Sequence, residues 1–380
     1  MKTQLLSTVG LALAVHLLLV SPCEGGGRVR LDTRYERWTW EMEGIGGDAV
    51  VGEMTTRLSL GLTLMPGVDA EVTTGYAGAS WSGPQTEAGS AAKNLSGMLD
   101  TKLRLTYRVG DRLLMRVGLN GPTGTTELSA EELPLAQALA SRALSFDGNR
   151  LGGGFDVDLG VSFATNAGPA AVGLGAGYLL KGGYTIREET ETYEPGDQVS
   201  LAGGIDLSNP AWLWRGSVRA ILYQADRYDA VDFYEAGDRY DGQMTLLHRW
   251  AQTSLWGSLC LVSFGDTKEV GGDGLSESES RTLRGEYYAE AGMRYETHSG
   301  LKVSPTVGLR ILRGTNGGEG KARRVDLGLA TVMRLSPRAG LEVKGRYGLG
   351  RLEQAAPELT NPGESDLSGL AGAVSLMVDF

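Results

Sequence analysis

From residue 28 to its end this chain alternates apolar and polar residues with a period of two. Arg57-Leu58-Ser59-Leu60-Gly61-Leu62-Thr63-Leu64 alternates without a break, as do Lys102-Leu103-Arg104-Leu105-Thr106-Tyr107 and Phe155-Asp156-Val157-Asp158-Leu159-Gly160-Val161-Ser162-Phe163. A period of two places successive side chains on opposite faces of a strand, so each segment has one face in an apolar phase and one in a polar phase. A chain built from such segments folds as sheet.

The pattern divides into strands over 28–43, 50–65, 69–82, 95–109, 112–120, 150–165, 169–186, 198–209, 212–226, 241–250, 253–267, 282–297, 301–313, 322–335, 339–352 and 366–380. Short Pro-, Gly-, Asn- and Ser-bearing turns, such as Met65-Pro66-Gly67 and Asn166-Ala167-Gly168-Pro169, alternate with longer polar connections. An even number of strands returns both termini to one side. Short turns at one rim and long loops at the other are the asymmetry of a membrane barrel. The expected fold is all-β, a transmembrane antiparallel β-barrel of about sixteen strands; without the blurred hairpin 241–250/253–267 it would have fourteen.

Lys2, the apolar stretch Leu5 to Val20 and the following Ser21-Pro22-Cys23-Glu24-Gly25 read as a secretory signal peptide over 1–25, with the barrel over 26–380. Cys23 could instead be a lipidation site. Cys23 and Cys260 offer no disulfide framework. The formal net charge of −10 disfavours a nucleic-acid partner. Glycine is abundant, 57 of 380 residues, while proline numbers only 12, which suits crowded sheets rather than disorder. Trp38, Trp40 and Trp81 near one set of strand ends, and Trp212, Trp214, Trp250 and Trp256 near the other, predict aromatic belts at both membrane interfaces.

The last strand places Leu370, Val374, Leu376, Val378 and Phe380 on one face and ends on that aromatic residue. This resembles the closing strand of bacterial outer-membrane β-barrels. The resemblance implies a Gram-negative outer-membrane location and makes Phe380 an assembly signal read by the barrel-assembly machinery. The longest connection, 121–149, joins the fifth and sixth strands. Ser129 and Glu132 fit a capping box, and Leu135, Leu139 and Ala143 form one helical stripe, so a short helix is expected there. Its position and length resemble the pore-narrowing loop of the general porins, which are trimers. By that resemblance Glu127, Glu131, Glu132 and Asp147 would face the wall cations Arg57, Arg104 and Arg116 across a constriction. Asp156, Asp158, Arg219 and Arg294 complete the candidate pore lining, and a homo-trimer is implied.

Leu119-Asn120-Gly121-Pro122-Thr123-Gly124 with Gly152-Gly153-Gly154-Phe155 more weakly resembles fatty-acid and hydrocarbon channels of the outer membrane. Those carry an N-terminal hatch for which the sequence here leaves no room.

The remaining motifs carry no chemistry. Gly173-Leu174-Gly175-Ala176-Gly177 continues as strand, not as a dinucleotide-binding turn, and Asn94-Leu95-Ser96 is an incidental sequon. His248 and His298 have no ligand cluster in sequence, so neither a metal, a cofactor nor an enzyme is expected. Acidic connections at 187–197, 227–240 and 277–279 read as solvated loops, with divalent cations bridging lipopolysaccharide as the alternative. The expected function is a porin-like channel for passive diffusion of small solutes. A hydrophobic-substrate channel and a closed structural barrel are the alternatives.

Overall fold

The computed structural model describes residues 26–380 apart from 42–46, 84–91, 130, 149–150, 186–191, 229–230, 272–273, 278–282, 315–320 and 354–363. The leader read over 1–25 lies outside the described residues.

Sixteen antiparallel strands close into one barrel in sequence order. They are β1 (Gly27–Glu41), β2 (Asp48–Met65), β3 (Val68–Ser82), β4 (Ala92–Val109), β5 (Leu113–Gly121), β6 (Asp156–Ala167), β7 (Ala170–Lys181) and β8 (Gln198–Ser208). The second half comprises β9 (Trp212–Tyr223), β10 (Arg239–Trp250), β11 (Thr253–Phe264), β12 (Leu283–Glu296), β13 (Lys302–Gly314), β14 (Lys321–Ser336), β15 (Ala339–Glu353) and β16 (Glu364–Asp379). The hairpin β10–β11 belongs to the ring, so the fourteen-strand alternative falls. β16 pairs with β1 from Asp379↔Arg28 to Leu367↔Trp40, which leaves the barrel itself no free edge. Gly67, Gly110, Gly168 and Gly300 take positive φ in the short turns, a conformation that costs glycine little.

The outward face is apolar. Leu105, Val117, Leu159, Leu174, Leu201, Val218, Leu327 and Leu370 are large hydrophobic residues left exposed by the fold, the signature of a surface solvated by lipid. A β-bulge in β4, opposite Thr73 and Gly75, switches that strand's parity. Below it Leu103 and Leu105 face outward; above it Leu95 and Leu99 turn inward and are buried.

Helix α1 (Leu133–Ala140) lies in the connection between β5 and β6. It starts after the Ser129–Glu132 motif: Glu132 accepts hydrogen bonds from the Ser129 backbone N–H at 2.9 Å and hydroxyl at 3.0 Å, but no side chain caps the helix. β6 begins at Asp156 rather than 150, because the segment from Leu151 is held by the loop packing. The connections expected to be solvated loops instead carry a small five-stranded sheet above the barrel, built from Tyr193–Glu194, Asp226–Tyr228, Val231–Glu235, Lys268–Gly271 and Gly274–Glu277. Its rungs include Arg227↔Glu194 and Tyr234↔Glu269. The aromatic cluster of Tyr184, Tyr193, Tyr228 and Phe233 explains why these polar segments order.

The two aromatic belts are corrected. Trp38 and Trp40 are buried and inward-facing, and Trp81 packs on Trp40 edge-to-face at 5.6 Å. Trp256 shares the inward parity of buried Val262. Only Trp212, Trp214 and Trp250 face outward, near the short-turn rim, where His248 stacks on Trp212 at 3.9 Å and meets Trp250 at 4.4 Å. The inward tryptophans are apolar because the β5–β6 loop covers them, a long-range contact that strand-end position does not encode.

Candidate functional site

The β5–β6 connection folds into the lumen at the long-loop end. Leu135, Ala138, Leu139, Leu144, Phe146 and Leu151 of the connection are buried against the inner faces of β1–β4 and β16, including Trp38, Val51, Ala79, Leu95 and Leu367. On the far side Ala143 packs with Leu312, Ala322 and Leu352 of β13–β15, and Phe264 of β11 adjoins them. The Arg142 guanidinium lies over the Phe264 ring at 4.4 Å. The loop therefore reaches across from one wall of the lumen to another.

Polar fastenings reinforce this packing. Asp100, at the β4 bulge, accepts N–H bonds from Gly124 at 2.8 Å and Gly153 at 2.7 Å, and so ties both stems of the loop. Asp147 pairs with Arg34 at 3.2 Å and Arg57 at 2.7 Å. Buried Arg324 donates to the carbonyls of Ala143 at 3.1 Å and Leu144 at 3.4 Å, pairs with Asp326 at 3.0 Å and lies over Trp38 at 4.5 Å. Glu36 holds Arg34 at 3.0 Å and also Arg346. The closest packing excludes even a methyl group at some glycines: a Cβ on Gly148 would lie 2.1 Å from Glu53, and one on Gly369 would lie 2.1 Å from Trp38.

Around and below the loop the lumen is lined by charge. An inward charge meets water or a counter-ion, whereas a lipid-facing Arg or Lys at the midplane costs about 2–4 kcal/mol. Arg116 pairs with Asp158 at 3.0 Å, Arg104 with Glu71 at 3.7 Å, and Arg215 with Asp206 at 2.6 Å. Arg219 and Arg239 share one carboxylate, Asp241, at 2.9 and 2.6 Å. Asp156 lies 3.5 Å from the Asn120 amide. Arg294 is exposed on the inner face of β12. Cavities of about 350 Å³ beside Arg34, Arg57, Asp147 and Arg346, and about 570 Å³ beside Arg28, Asp69, Glu71 and Arg104, share Arg30 and Asp32. Both lie along β1, one beside the loop and the other toward the short-turn rim.

Of the acidic loop residues, Asp147 meets the wall cations. Glu127 and Glu131 are exposed, and Glu132 is engaged with Ser129. Arg104 and Arg116 are occupied by wall carboxylates rather than by the loop. Glu36, Glu53, Arg239, Asp241 and Arg324 escaped the sequence reading. Parity alone would have found all five, since each lies two residues, or a multiple of two, from a recognised inward residue such as Asp326 or from its cross-strand partner. Phe380 sits at the seam: its carbonyl accepts from Gly27 N–H at 2.8 Å and its N–H donates to the Gly27 carbonyl at 2.9 Å. Among the described residues no cluster of His, Cys, Asp and Glu is arranged to hold a metal.

A closed barrel with a lipid-solvated exterior, a charged interior and its longest connection folded inside is a transmembrane β-barrel with a porin-like architecture. No protein-family model matches the chain, and no curated protein matches it. Solved structures similar to it include Acinetobacter baumannii OccAB1, with 10% identity, TM-score 0.49 and coverage of 94% of this chain and 97% of that one. An anion-selective porin from Comamonas acidovorans has 14% identity, TM-score 0.40 and coverage of 93% and 98%. A Pseudomonas aeruginosa FadL homologue has 12% identity, TM-score 0.42 and coverage of 93% and 90%.

Proposed function

We propose that the protein is an outer-membrane channel through which small solutes diffuse passively, without catalysis. The observation that carries this reading is the loop fastened inside the lumen. In this reading it narrows the barrel, its apolar face packed on the walls and charged cavities left beside it along β1. A barrel of sixteen strands is wide enough to leave an aqueous channel. Size exclusion is set by the loop and the facing walls. Charge bias comes from the lumen clusters, chiefly the one where two guanidiniums, Arg219 and Arg239, share the single carboxylate of Asp241. In this reading the long loops face the exterior, the last strand engages the assembly machinery, and the protomer assembles as a homo-trimer.

Planar-bilayer recording of the purified protein tests the proposal. Discrete, stable conductance steps are expected. A correctly folded, heat-modifiable barrel that never conducts would refute it and favour a structural barrel. Uptake of a fatty acid or hydrocarbon without ion conductance would favour a hydrophobic-substrate channel.

A further inference from the structure

The far end of the lumen loop brings a further cation to a wall where cations already outnumber their counter-charge. Arg142 lies where the loop meets β11, with its guanidinium over the Phe264 ring at 4.4 Å. The same ring holds Arg239 of β10, its directly opposed ladder partner, at 5.9 Å. Arg239 shares Asp241 with Arg219 of β9, at 2.6 and 2.9 Å, and Arg219 is the direct ladder partner of Asp241. The Arg142 guanidinium has no carboxylate partner among the described residues. Three guanidiniums, one from the loop and two from the wall, therefore meet one carboxylate.

The neighbouring charges are committed elsewhere. Asp241, Val262 and Glu286 form one row across β10, β11 and β12, and Glu286 pairs with Arg310 of β13 at 2.5 Å. Asp238 accepts the Tyr223 backbone N–H at 3.4 Å. The donors left open are those of Arg142 and Arg239. A guanidinium held over the face of an aromatic ring keeps its N–H edge available. Arg239 gives its Nε–H to Asp241 and retains its terminal N–H groups. Arg142 is fixed beside it because the next residue, Ala143, packs with Leu312, Ala322 and Leu352. Two guanidinium forks from different elements match an anion with several oxygen acceptors. An excess of two positive charges matches a dianion better than a monocarboxylate or a halide.

We propose that Arg142, Arg239 and Phe264 form a binding site for the phosphate group of a small solute, with Arg219 and Asp241 positioning Arg239. The phosphate bridges loop and wall: Arg142 donates to it from the loop and Arg239 from β10, while Phe264 holds both guanidiniums in place. The inference deepens the channel reading, on which it rests for the solute's route to the site, whereas binding itself needs no conduction.

The test is calorimetric titration of the detergent-solubilised barrel with inorganic phosphate, glycerol 3-phosphate, acetate and chloride. The parent is compared with Arg142→Gln, Arg239→Gln and the conservative Arg142→Lys. Arg215→Gln, whose arginine pairs with Asp206 elsewhere on β9, is the charge control. Heat-modifiable migration on gels checks folding. The parent should bind both phosphate compounds and bind acetate and chloride at least tenfold more weakly. Arg142→Gln and Arg239→Gln should each lose at least tenfold in phosphate affinity, Arg142→Lys should recover part of that loss, and Arg215→Gln should bind like the parent. Tighter binding of glycerol 3-phosphate than of inorganic phosphate would identify a phosphorylated organic solute as the ligand, and the reverse would identify free phosphate. Acetate binding as tight as phosphate, or a folded Arg142→Gln variant that binds phosphate like the parent, would overturn the proposal. A barrel that binds phosphate yet never conducts would uphold this site while refuting the channel reading. A conducting barrel that binds no phosphate would refute the site alone.

Discussion

Two kinds of fastening hold the loop in the lumen, and their magnitudes predict different consequences when each is cut. Leu135 and Leu139 are fully or almost fully buried on one face of α1. Truncating a buried leucine to alanine costs about 2–5 kcal/mol. The two neighbours share one cavity, so the Leu135→Ala/Leu139→Ala pair should lose about 4–7 kcal/mol rather than the full sum. Asp147 and its partners Arg34 and Arg57 keep about a third of their side-chain surface exposed, at 30%, 32% and 36%. Ion pairs screened to that extent contribute about 0.2–1 kcal/mol each. Arg57 also keeps its 3.0 Å bond to the Asp147 carbonyl when that side chain is removed. The apolar face should therefore decide whether the loop stays, and the ion pairs should decide which charges the passage presents.

Trypsin cleavage after Arg142 reads loop position without reference to conduction, because Arg142 is held over Phe264 and its neighbours Ala143 and Leu144 are buried. A loss of about 4 kcal/mol raises the population of released loop by roughly 10³-fold, since each 1.4 kcal/mol is a factor of ten. The leucine pair should be cut rapidly and give larger, noisier conductance. Asp147→Ala should resist trypsin, keep its conductance and shift the reversal potential in a salt gradient toward anion preference, because Arg34 and Arg57 lose a counter-charge. A leucine variant that stays uncut while Asp147→Ala is cut would refute the ranking of the two forces.

Gly369→Val should destabilise the barrel by several kcal/mol or abolish folding, because a Cβ there meets the Trp38 ring that anchors the loop; a thermal midpoint equal to the parent's would contradict this. Replacing both Arg219 and Arg239 by Gln strips Asp241 of its two partners and should move ion selectivity toward cations, read as a reversal potential, with trypsin resistance unchanged. Phe380→Asp should lower the yield of heat-modifiable, folded barrel in the membrane while leaving the conductance of the assembled fraction unaltered. Normal yield would show that the seam closed by Gly27 and Phe380 does not depend on that side chain.

Alternation made the barrel legible because each strand must satisfy lipid and water on opposite faces, so a local pattern carries the global constraint. A strand number near sixteen and the inward parity of residues such as Arg116, Asp158 and Arg219 follow from it, whereas the β10–β11 hairpin, whose faces Leu246, Leu247, Leu261 and Val262 blur, is settled by its pairing in the ring. The rule failed where the inner phase was protein rather than water. Trp38, Trp40, Leu95 and Leu99 are apolar and inward because the loop lies on them, and a local reading assigns apolar residues at strand ends to the membrane interface. The β4 bulge compounds this by switching parity beside Asp100, the residue that also ties the loop's two stems. Arg323-Arg324 shows the opposite case. Adjacent arginines on one strand must point to opposite phases; the structure places Arg324 against the loop carbonyls and leaves Arg323 facing outward. Such a charge is tolerable only at the edge of the apolar band, so violations of alternation mark the places where the barrel meets something other than lipid tails or lumen water. The loop is one such place.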